Sequence, residues 1–263
     1  MLFRSPKYSF RLFSNADKGI DDHADPRYIS DEIWFDRIIP CYNNLIFAKA
    51  MQDKCLHNLL FPEARRPVTV VKRIAGVFYD DDLNLLTREE ASAKVKGHGR
   101  VIVKPSVSTG KGEGILFFDS DDISLSDTEA VFDRFGDNFI IQEKMTQHDA
   151  LAALNPSSIN TVRILTFLHD DEVRVLSACL RIGGSASEVD NVSQGGWCFT
   201  ITREGRIAYR GYSHAGGVWR YSDTLPTGET ASGYIVPGYQ KAEELVCRLA
   251  SRMSHFRSEG RQV

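Results

Sequence analysis

The stretch VIVKPSVSTGKGEGILFF, residues 101–118, is more informative about the fold than any other part of the chain. An apolar, β-branched run leads to Lys104, Pro105 then breaks the pattern, and a loop of small residues follows before a second apolar run begins at Ile115. Glycines permit close approach of the backbone, and successive amides form an anion-binding concavity. The pattern predicts a strand, a phosphate-binding loop and a second strand. The alternative is an ordinary hairpin with a glycine-rich loop.

Composition favours an ordinary globular protein. The chain has 263 residues, 42% of them hydrophobic, a net charge of −3 and a pI of about 6.2. The absence of a basic surplus argues against a nucleic-acid partner, and no apolar run of membrane length occurs. The five cysteines are scattered, without a C-x-x-C pair, so the sequence indicates neither a zinc site nor a disulfide framework. We expect a cytoplasmic protein with reduced thiols.

The order of the predicted elements indicates an α+β fold. Apolar residues recur at helical spacing between about residues 28 and 60, whereas antiparallel strand pairs dominate afterwards, for example 161–168 with 172–182. A second hairpin is predicted at 197–202 and 206–211, and a final helix at 238–256. The predicted divisions are an irregular segment at 1–26, a helical region at 27–66 and a domain at 67–263 with halves at 67–141 and 142–263.

Four motifs, taken in order, resemble the ATP-grasp fold across roughly residues 45–215. The resemblance is closest to the sugar-transfer-associated, alpha-L-glutamate-ligase-related branch, through LNPSSINTVRI at 154–164 and VDN at 189–191. The four motifs are Asp53-Lys54, the stretch 101–115, the stretch 140–145, and the series Thr161-Val-Arg163, Arg181, Asn191, Gly195-Gly196.

The resemblance implies two α+β subdomains whose antiparallel sheets grip a nucleotide, after a short helical N-terminal region. It implies an ATP-dependent ligase that uses Mg²⁺ and activates a small-molecule carboxylate as an acyl-phosphate. An amine or another nucleophile then attacks, giving an amide or ester with ADP and phosphate. The alternative is a pseudoenzyme or scaffold that binds the nucleotide without turnover, and a more remote one is a phosphotransferase acting on a sugar or protein.

The resemblance also implies a set of nucleotide-binding residues. Two lysines would carry charge to the phosphates, the glycine-rich loop would cover them, and the hinge after the strand at 139–141 would hold adenine. As an alternative, Lys54 could be a solvated lysine on a helix. The implied residues are Lys54, Lys104, Ser106, Ser108, Gly110, Gly112, Gln142, Glu143, Met145 and, for the ribose, His148 or Asp149.

The implied catalytic residues are Arg163, Arg181 and Asn191. The planar fork of arginine suits the γ-phosphate and an acyl-phosphate in transfer, and the asparagine could hold a metal-bound oxygen or a substrate carboxylate. As alternatives, the arginines could be surface strand residues and Asn191 a turn residue.

The chain departs from the family pattern near its C-terminus. The family completes its metal site with an acidic strand and a final Glu-x-Asn strand, and neither is recognisable after the last predicted helix. The metal ligands are therefore unknown, and three explanations stay open. The chain is truncated, it is a nucleotide-binding pseudoenzyme, or it recruits other acidic residues, such as Glu188 and Asp190, or a partner chain. The unpaired sheet edge expected here favours association into a homo-oligomer.

Overall fold

The computed structural model describes residues 33–107, 114–184 and 187–262. The chain divides into two compact units. One spans Ile46–His148, and the other joins the described residues up to Leu45 with those from Asp149 onward. No helix in the described part is both long and apolar enough to cross a membrane.

Short helices form the described N-terminal part, as the sequence predicts. Pro40 lies in the first turn of a helix, where its missing N–H group leaves no hydrogen bond unmade. The sequence predicts a break between two helices at Pro40, but the helical path breaks at Asn43, whose backbone is extended. The elements are a π-helical turn Trp34–Ile38, α1 (Ile39–Tyr42), α2 (Leu45–Met51), a 3₁₀ turn Lys54–Leu56 and α3 (His57–Leu60).

The unit Ile46–His148 contains a six-stranded antiparallel sheet in the order β3-β2-β1-β6-β4-β5. Two helices, α4 and α5, pack on it through a core that includes Val71, Val95, Phe132 and Phe139. The element bounds are β1 (Thr69–Ile74), β2 (Val77–Tyr79), β3 (Leu85–Leu86), α4 (Arg88–Val95), β4 (Arg100–Pro105), β5 (Leu116–Asp119), α5 (Leu125–Phe135) and β6 (Phe139–Glu143).

The other unit contains a second six-stranded antiparallel sheet, in the order β11-β10-β9-β8-β7-β12. Its core joins sheet residues such as Leu180 and Phe199 with Tyr239 and Val246 of α7. The bounds are α6 (Asp149–Ala152), β7 (Thr161–His169), β8 (Glu172–Ile182), β9 (Trp197–Ile201), β10 (Gly211–Ala215), β11 (Val218–Ser222), α7 (Tyr239–Ser251) and β12 (Ser258–Gln262).

Alternation along the strands gives this second sheet two different faces. Val162, Ile164 and Leu180 are buried in the core. The residues between them point the other way, because successive side chains of a strand lie on opposite faces and directly paired residues share a face. We call this second surface the arginine face. Its residues include Thr161, Arg163, Cys179, Arg181, Cys198, Tyr212, His214, Trp219 and Tyr221.

Two predicted features differ from the structure. Residues 206–211 make only isolated bridges, because Arg206 pairs with Ile235 while Ile207 pairs with Ile201, and the regular strand begins at Gly211. After α7, the sequence analysis locates no strand, whereas β12 pairs with β7 along the sheet edge. The pairing of Arg206 with Ile235 and that of β12 with β7 join distant parts of the chain, which local sequence patterns do not reveal.

The segment Thr87-Arg-Glu-Glu90 has the sequence signature of a capping box, which predicts a helix start at Thr87, and α4 begins there. The Thr87 hydroxyl accepts a hydrogen bond from the Glu90 N–H, at 3.1 Å, and the Glu90 carboxylate accepts one from the Thr87 N–H, at 2.8 Å. This capping box satisfies two N–H groups that the helix itself cannot pair.

Replacing the cap tests its contribution to stability. Thr87→Ala removes the hydroxyl acceptor, so we expect the free energy of unfolding to fall by about 1 kcal/mol. Urea denaturation measures the change, with Thr227→Ala, at an exposed loop threonine, as the matched control. Equal effects of the two substitutions would contradict a stabilising cap.

Candidate functional site

Lys104 is a largely buried cation on an interior strand. It lies in β4, opposite Ile140 of β6. Burial and, to a smaller extent, the positive charge of Lys54 together lower the pKa of Lys104 from 10.5 to about 8. Among the described residues, no carboxylate forms an ion pair with it. Burial without a compensating carboxylate in the described part disfavours the charged form of this lysine.

Lys54 is held against the chain where β4 ends. Its Nζ donates hydrogen bonds to the carbonyl oxygens of Pro105, at 3.0 Å, and Ser106, at 3.2 Å. Its main-chain N–H donates to the same Ser106 oxygen, at 3.1 Å. Asp53 stabilises the 3₁₀ turn that begins at Lys54, because its carboxylate accepts a hydrogen bond from the Cys55 N–H and caps the turn. Burial lowers the pKa of Lys54, and the charge of Asp53 opposes that shift.

Ser106 begins the glycine-rich segment. Its main-chain N–H donates to the Asn138 carbonyl at 3.1 Å. Its hydroxyl is fully buried near Cys55 and has no geometrically sound hydrogen-bond partner within the described part of the chain. The other predicted loop residues, Ser108, Gly110 and Gly112, lie outside the described residues.

The predicted hinge continues from β6, a central strand of the first sheet. The Gln142 side chain donates to the Thr69 hydroxyl at 3.3 Å. The Glu143 carboxylate bonds His98 Nδ1 at 2.7 Å, a contact that the sequence did not indicate. Met145 follows the strand and has 44% of its surface exposed. His148 is the last residue of this compact unit. Contacts of these residues with adenine and ribose stay predictions.

Lys72 is a buried lysine that the sequence analysis missed. It is only 1% exposed on β1, donates to the Asp81 carbonyl at 2.7 Å and pairs with the Asp81 carboxylate at 3.1 Å. The signal that could have revealed it is a lone lysine after two buried valines in a predicted strand. Its charge is compensated within the protein, which distinguishes it from Lys104.

The structure brings the two predicted arginines to one surface of the second sheet. Arg163 pairs with Cys179 and Arg181 pairs with Thr161 across the β7–β8 ladder, so both arginines lie on the arginine face. Arg163 is exposed, and none of the described side chains forms an ion pair with it.

Arg181 has a fixed partner. Its guanidinium lies 3.4 Å from the Asp190 carboxylate and donates to the Asp190 carbonyl at 3.2 Å. The Thr161 hydroxyl donates to the other oxygen of the same carboxylate. The side chains of Arg181 and Asp190 are only 15% and 13% exposed, so solvent screens this pair less than a surface pair. The contact orients Arg181. It also occupies the Asp190 carboxylate, which the sequence analysis considers as a possible metal ligand.

Asn191 forms a turn beside this pair. Its side-chain oxygen accepts from the N–H and the hydroxyl of Ser193, both at 3.1 Å, and its carbonyl accepts from the Gly196 N–H at 3.0 Å. A Cβ at Gly196 would lie 2.8 Å from the Asn191 carbonyl oxygen and 2.9 Å from that of Asp190. The N-x-x-x-G-G spacing therefore has a structural basis here. A catalytic role for Asn191 stays a prediction.

Buried polar side chains of the LNPSSIN segment support the end of β8. Asn155 donates to the carbonyl oxygens of Gly183, at 2.8 Å, and Gly184, at 3.0 Å. The Asn160 oxygen accepts from the Gly183 N–H and from the Ser158 hydroxyl. This network fixes the strand end from which the loop toward Asp190 departs.

Two thiols lie among the arginines, and the sequence gave no sign that they meet. Cys179 and Cys198 are hydrogen-bonded to each other, and Tyr212 is hydrogen-bonded to Cys198. The contact with Cys179 lowers the pKa of Cys198, with a smaller contribution from the arginines, and raises the pKa of Cys179. The contact between the two thiols, more than the charge of the arginines, therefore sets the direction of both pKa shifts.

The described residues contain no group of three or more His, Cys, Asp or Glu side chains that could hold a metal ion. The acidic groups near the arginine face do not change this, because Asp190 is bonded to Arg181 and Thr161. The described side chains therefore do not by themselves form a Mg²⁺ site, which needs several oxygen ligands in octahedral array.

Comparison with known families identifies a family to which most of the chain is similar. The model of a family described as "Sugar-transfer associated ATP-grasp" matches residues 36–262, which is most of the chain. No curated protein matches the sequence.

The lowered pKa of Lys104 predicts a pH-dependent stability. The folded state holds fewer protons than the unfolded state between the folded pKa of about 8 and the ordinary 10.5. The free energy of unfolding should therefore rise with pH through that window, by up to about 1.4 kcal/mol per pH unit.

Urea denaturation at several pH values between 7 and 10.5 measures this rise, in the intact chain and in Lys104→Met. We expect the substitution to remove most of it, while Lys96→Met, at an exposed lysine, leaves it in place. An unchanged pH profile in Lys104→Met would show that Lys104 is not the titrating group.

Proposed function

The chain belongs to the sugar-transfer-associated ATP-grasp family, and we propose from this that it is an ATP-dependent ligase acting on a small-molecule carboxylate. The carboxylate oxygen attacks the γ-phosphorus of ATP, the bond to ADP breaks and an acyl-phosphate forms. An amine or another nucleophile then attacks the acyl carbon, loses a proton and expels phosphate. The product is an amide or an ester.

The observation that carries this proposal is the ammonium group of Lys104, which no carboxylate of the described residues compensates. A buried lysine without a carboxylate partner among the described residues is costly unless an anion binds there. The nearby Ser106 hydroxyl also lacks a sound partner in the described part. A polyphosphate would satisfy both groups, because its oxygens accept hydrogen bonds and carry negative charge.

Within this proposal, each cluster has one task. Lys104 binds the phosphates as a point charge, and Lys54 holds the chain at Pro105 and Ser106 so that Lys104 keeps its position. The glycine-rich residues Ser108, Gly110 and Gly112 would cover the phosphates, and Gln142, Glu143, Met145 and His148 would hold adenine and ribose.

On the arginine face, we propose that Arg163 and Arg181 stabilise the negative charge of the transferred phosphoryl group and of the acyl-phosphate. Asp190 would keep Arg181 in one orientation, which reduces the reorganisation needed during transfer. Asn191 would maintain the loop that carries Asp190. The order of these residues also supports the relation to the alpha-L-glutamate-ligase branch.

Mg²⁺ would neutralise phosphate charge in such a reaction. The described residues do not form a site for this ion. The five free thiols and the use of ATP support a cytoplasmic setting. Association into homo-oligomers stays a prediction.

A second candidate is a protein that binds the nucleotide but does not turn it over. The observation that favours it is the engagement of Asp190 by Arg181 and Thr161, which removes this carboxylate from the acidic groups available to a metal. The two candidates differ in a single measurement, the release of ADP.

Calorimetry of ATP binding, with and without Mg²⁺, tests the shared premise. We expect the intact chain and Lys96→Met to bind ATP alike, and Lys104→Met to bind at least about tenfold more weakly, because a hydrogen bond to a charged group is lost. Absence of ATP binding by the intact chain, or equal binding by Lys104→Met, would contradict the proposal. ADP release stimulated by a carboxylate would then favour the ligase over the pseudoenzyme.

A further inference from the structure

Two thiols occupy the middle of the second sheet, on its arginine face. Cys179 lies on β8 opposite Arg163 of β7, and Cys198 lies on β9 opposite Arg181 of β8. Cys179 also pairs with Thr200, two residues along β9 from Cys198, so the two cysteines are diagonal neighbours across the β8–β9 ladder. The ladder that positions the arginines therefore also brings the thiols together.

The side chains of the two cysteines are in direct contact. Their thiols are hydrogen-bonded to each other, and Tyr212 is hydrogen-bonded to Cys198. The contact with Cys179 lowers the pKa of Cys198, Tyr212 and the arginine charges contribute in the same direction, and burial opposes them. By contrast, Cys55 donates to the Phe139 carbonyl oxygen, and burial raises the pKa of its thiol to about 12. Since the thiolate is the reactive form, Cys198 is the attacking sulfur of the pair.

Burial determines which oxidants reach this pair. Cys198 is only 3% exposed, whereas Cys179 is partly exposed. Hydrogen peroxide is little larger than water. A disulfide such as oxidised glutathione, in contrast, has to bring a bulky group up to the attacked sulfur, and thiol–disulfide exchange depends on that access. The surroundings of the pair therefore favour a small peroxide.

We propose that Cys179 and Cys198 form an oxidative modification site, which takes hydrogen peroxide and closes to an intramolecular disulfide. The Cys198 thiolate attacks one peroxide oxygen, the O–O bond breaks, and the departing hydroxide takes up the proton that the thiol had released, which leaves a sulfenic acid. The Cys179 sulfur then attacks the Cys198 sulfur, the S–O bond breaks, and hydroxide leaves as water with the Cys179 proton. The two thiols are oxidised by two electrons in total, and hydrogen peroxide is reduced to two water molecules.

Strand geometry makes this disulfide reversible. Diagonal neighbours in an antiparallel pair lie roughly 7–8 Å apart, whereas the Cα atoms of a disulfide usually lie about 4.4–6.8 Å apart. Closing the bond therefore draws β8 and β9 together locally, and a strained disulfide is more easily reduced. Arg163 and Arg181 are the strand partners of the two cysteines and move with them. An effect of this movement on catalysis rests on the proposed function.

Peptide mapping of the full chain after treatment with hydrogen peroxide tests the site. Trypsin cleaves after Arg174, Arg181 and Arg203, so the two cysteines fall in separate peptides, 175–181 and 182–203. The remaining thiols are blocked with N-ethylmaleimide before digestion. We expect mass spectrometry to find the two peptides linked, and dithiothreitol to release them. Oxidised glutathione should link them at least about tenfold more slowly, because access to the buried sulfur is restricted.

Three variants assign the roles of the two thiols. Cys179→Ala removes the second thiol, so Cys198 should stop at the sulfenic acid, which dimedone traps. Cys198→Ala removes the attacking thiolate, so Cys179 should stay unmodified. Cys247→Ala, at a partly buried thiol of α7, is the matched control and should form the linked peptides as the intact chain does. Alanine is suitable because a free cysteine packs as a small apolar side chain, and thermal unfolding shows that each variant is folded.

The proposal is overturned if peroxide produces no linked peptides in the folded intact chain. It is also overturned if the folded chain links its five cysteines as unselectively as the chain does in urea, where the fold no longer brings the pair together. Neither result depends on a variant. Equal rates with oxidised glutathione would contradict a small peroxide as the oxidant, and dimedone trapping of Cys179 in Cys198→Ala would contradict the assignment of the attacking thiol.

These outcomes are distinct from failure of the ligase proposal, which is decided by ATP binding and its dependence on Lys104. Linked peptides in a chain that does not bind ATP would support the modification site alone. In a chain that releases ADP, oxidation should lower the rate of release and dithiothreitol should restore it. An unchanged rate would show that the disulfide does not disturb the arginines.

Discussion

The antiparallel register between β7 and β8 is the constraint on which the chemistry of the second sheet depends. It places Thr161 opposite Arg181 and Cys179 opposite Arg163, so the charged residues of both strands share one face. A slip of one residue would turn Arg163 into the core and Ile164 out of it, because the side-chain period is two. The buried core face therefore fixes the position of the arginines.

The strand register does not determine the position of the loop that follows β8. Buried side-chain amides hold the main chain where this loop begins. Asn155 and Asn160 bond the main chain at Gly183, and the loop then returns to bring Asp190 against Arg181. Main-chain atoms approach so closely at Gly196 that a side chain would collide with them. The segment LNPSSIN thus acts as a support for the arginine, which explains why a conspicuous motif contains no charged residue.

The sequence predicted those features that arise from local patterns. The capping box at Thr87, the paired strands of the second sheet and the adjacency of the two arginines are all present. The bond between His98 and Glu143 spans 45 positions, and the meeting of Cys179 with Cys198 depends on a ladder that no short motif encodes. Composition and periodicity report which face of an element is buried, but they do not report its partner.

The contrast between two lysines of the first sheet is the strongest indication of a ligand. Lys72 is fully buried, yet an ion pair with Asp81 compensates its charge within the protein. Lys104 occupies the same sheet with a lowered pKa and beside a second cation, Lys54, whose own hydrogen bonds are used by main-chain carbonyls. A lysine that served only stability would be better replaced by an apolar residue or given a carboxylate, as Lys72 is. In the proposed function, a bound anion offsets the cost of burying Lys104, which has no carboxylate partner among the described residues.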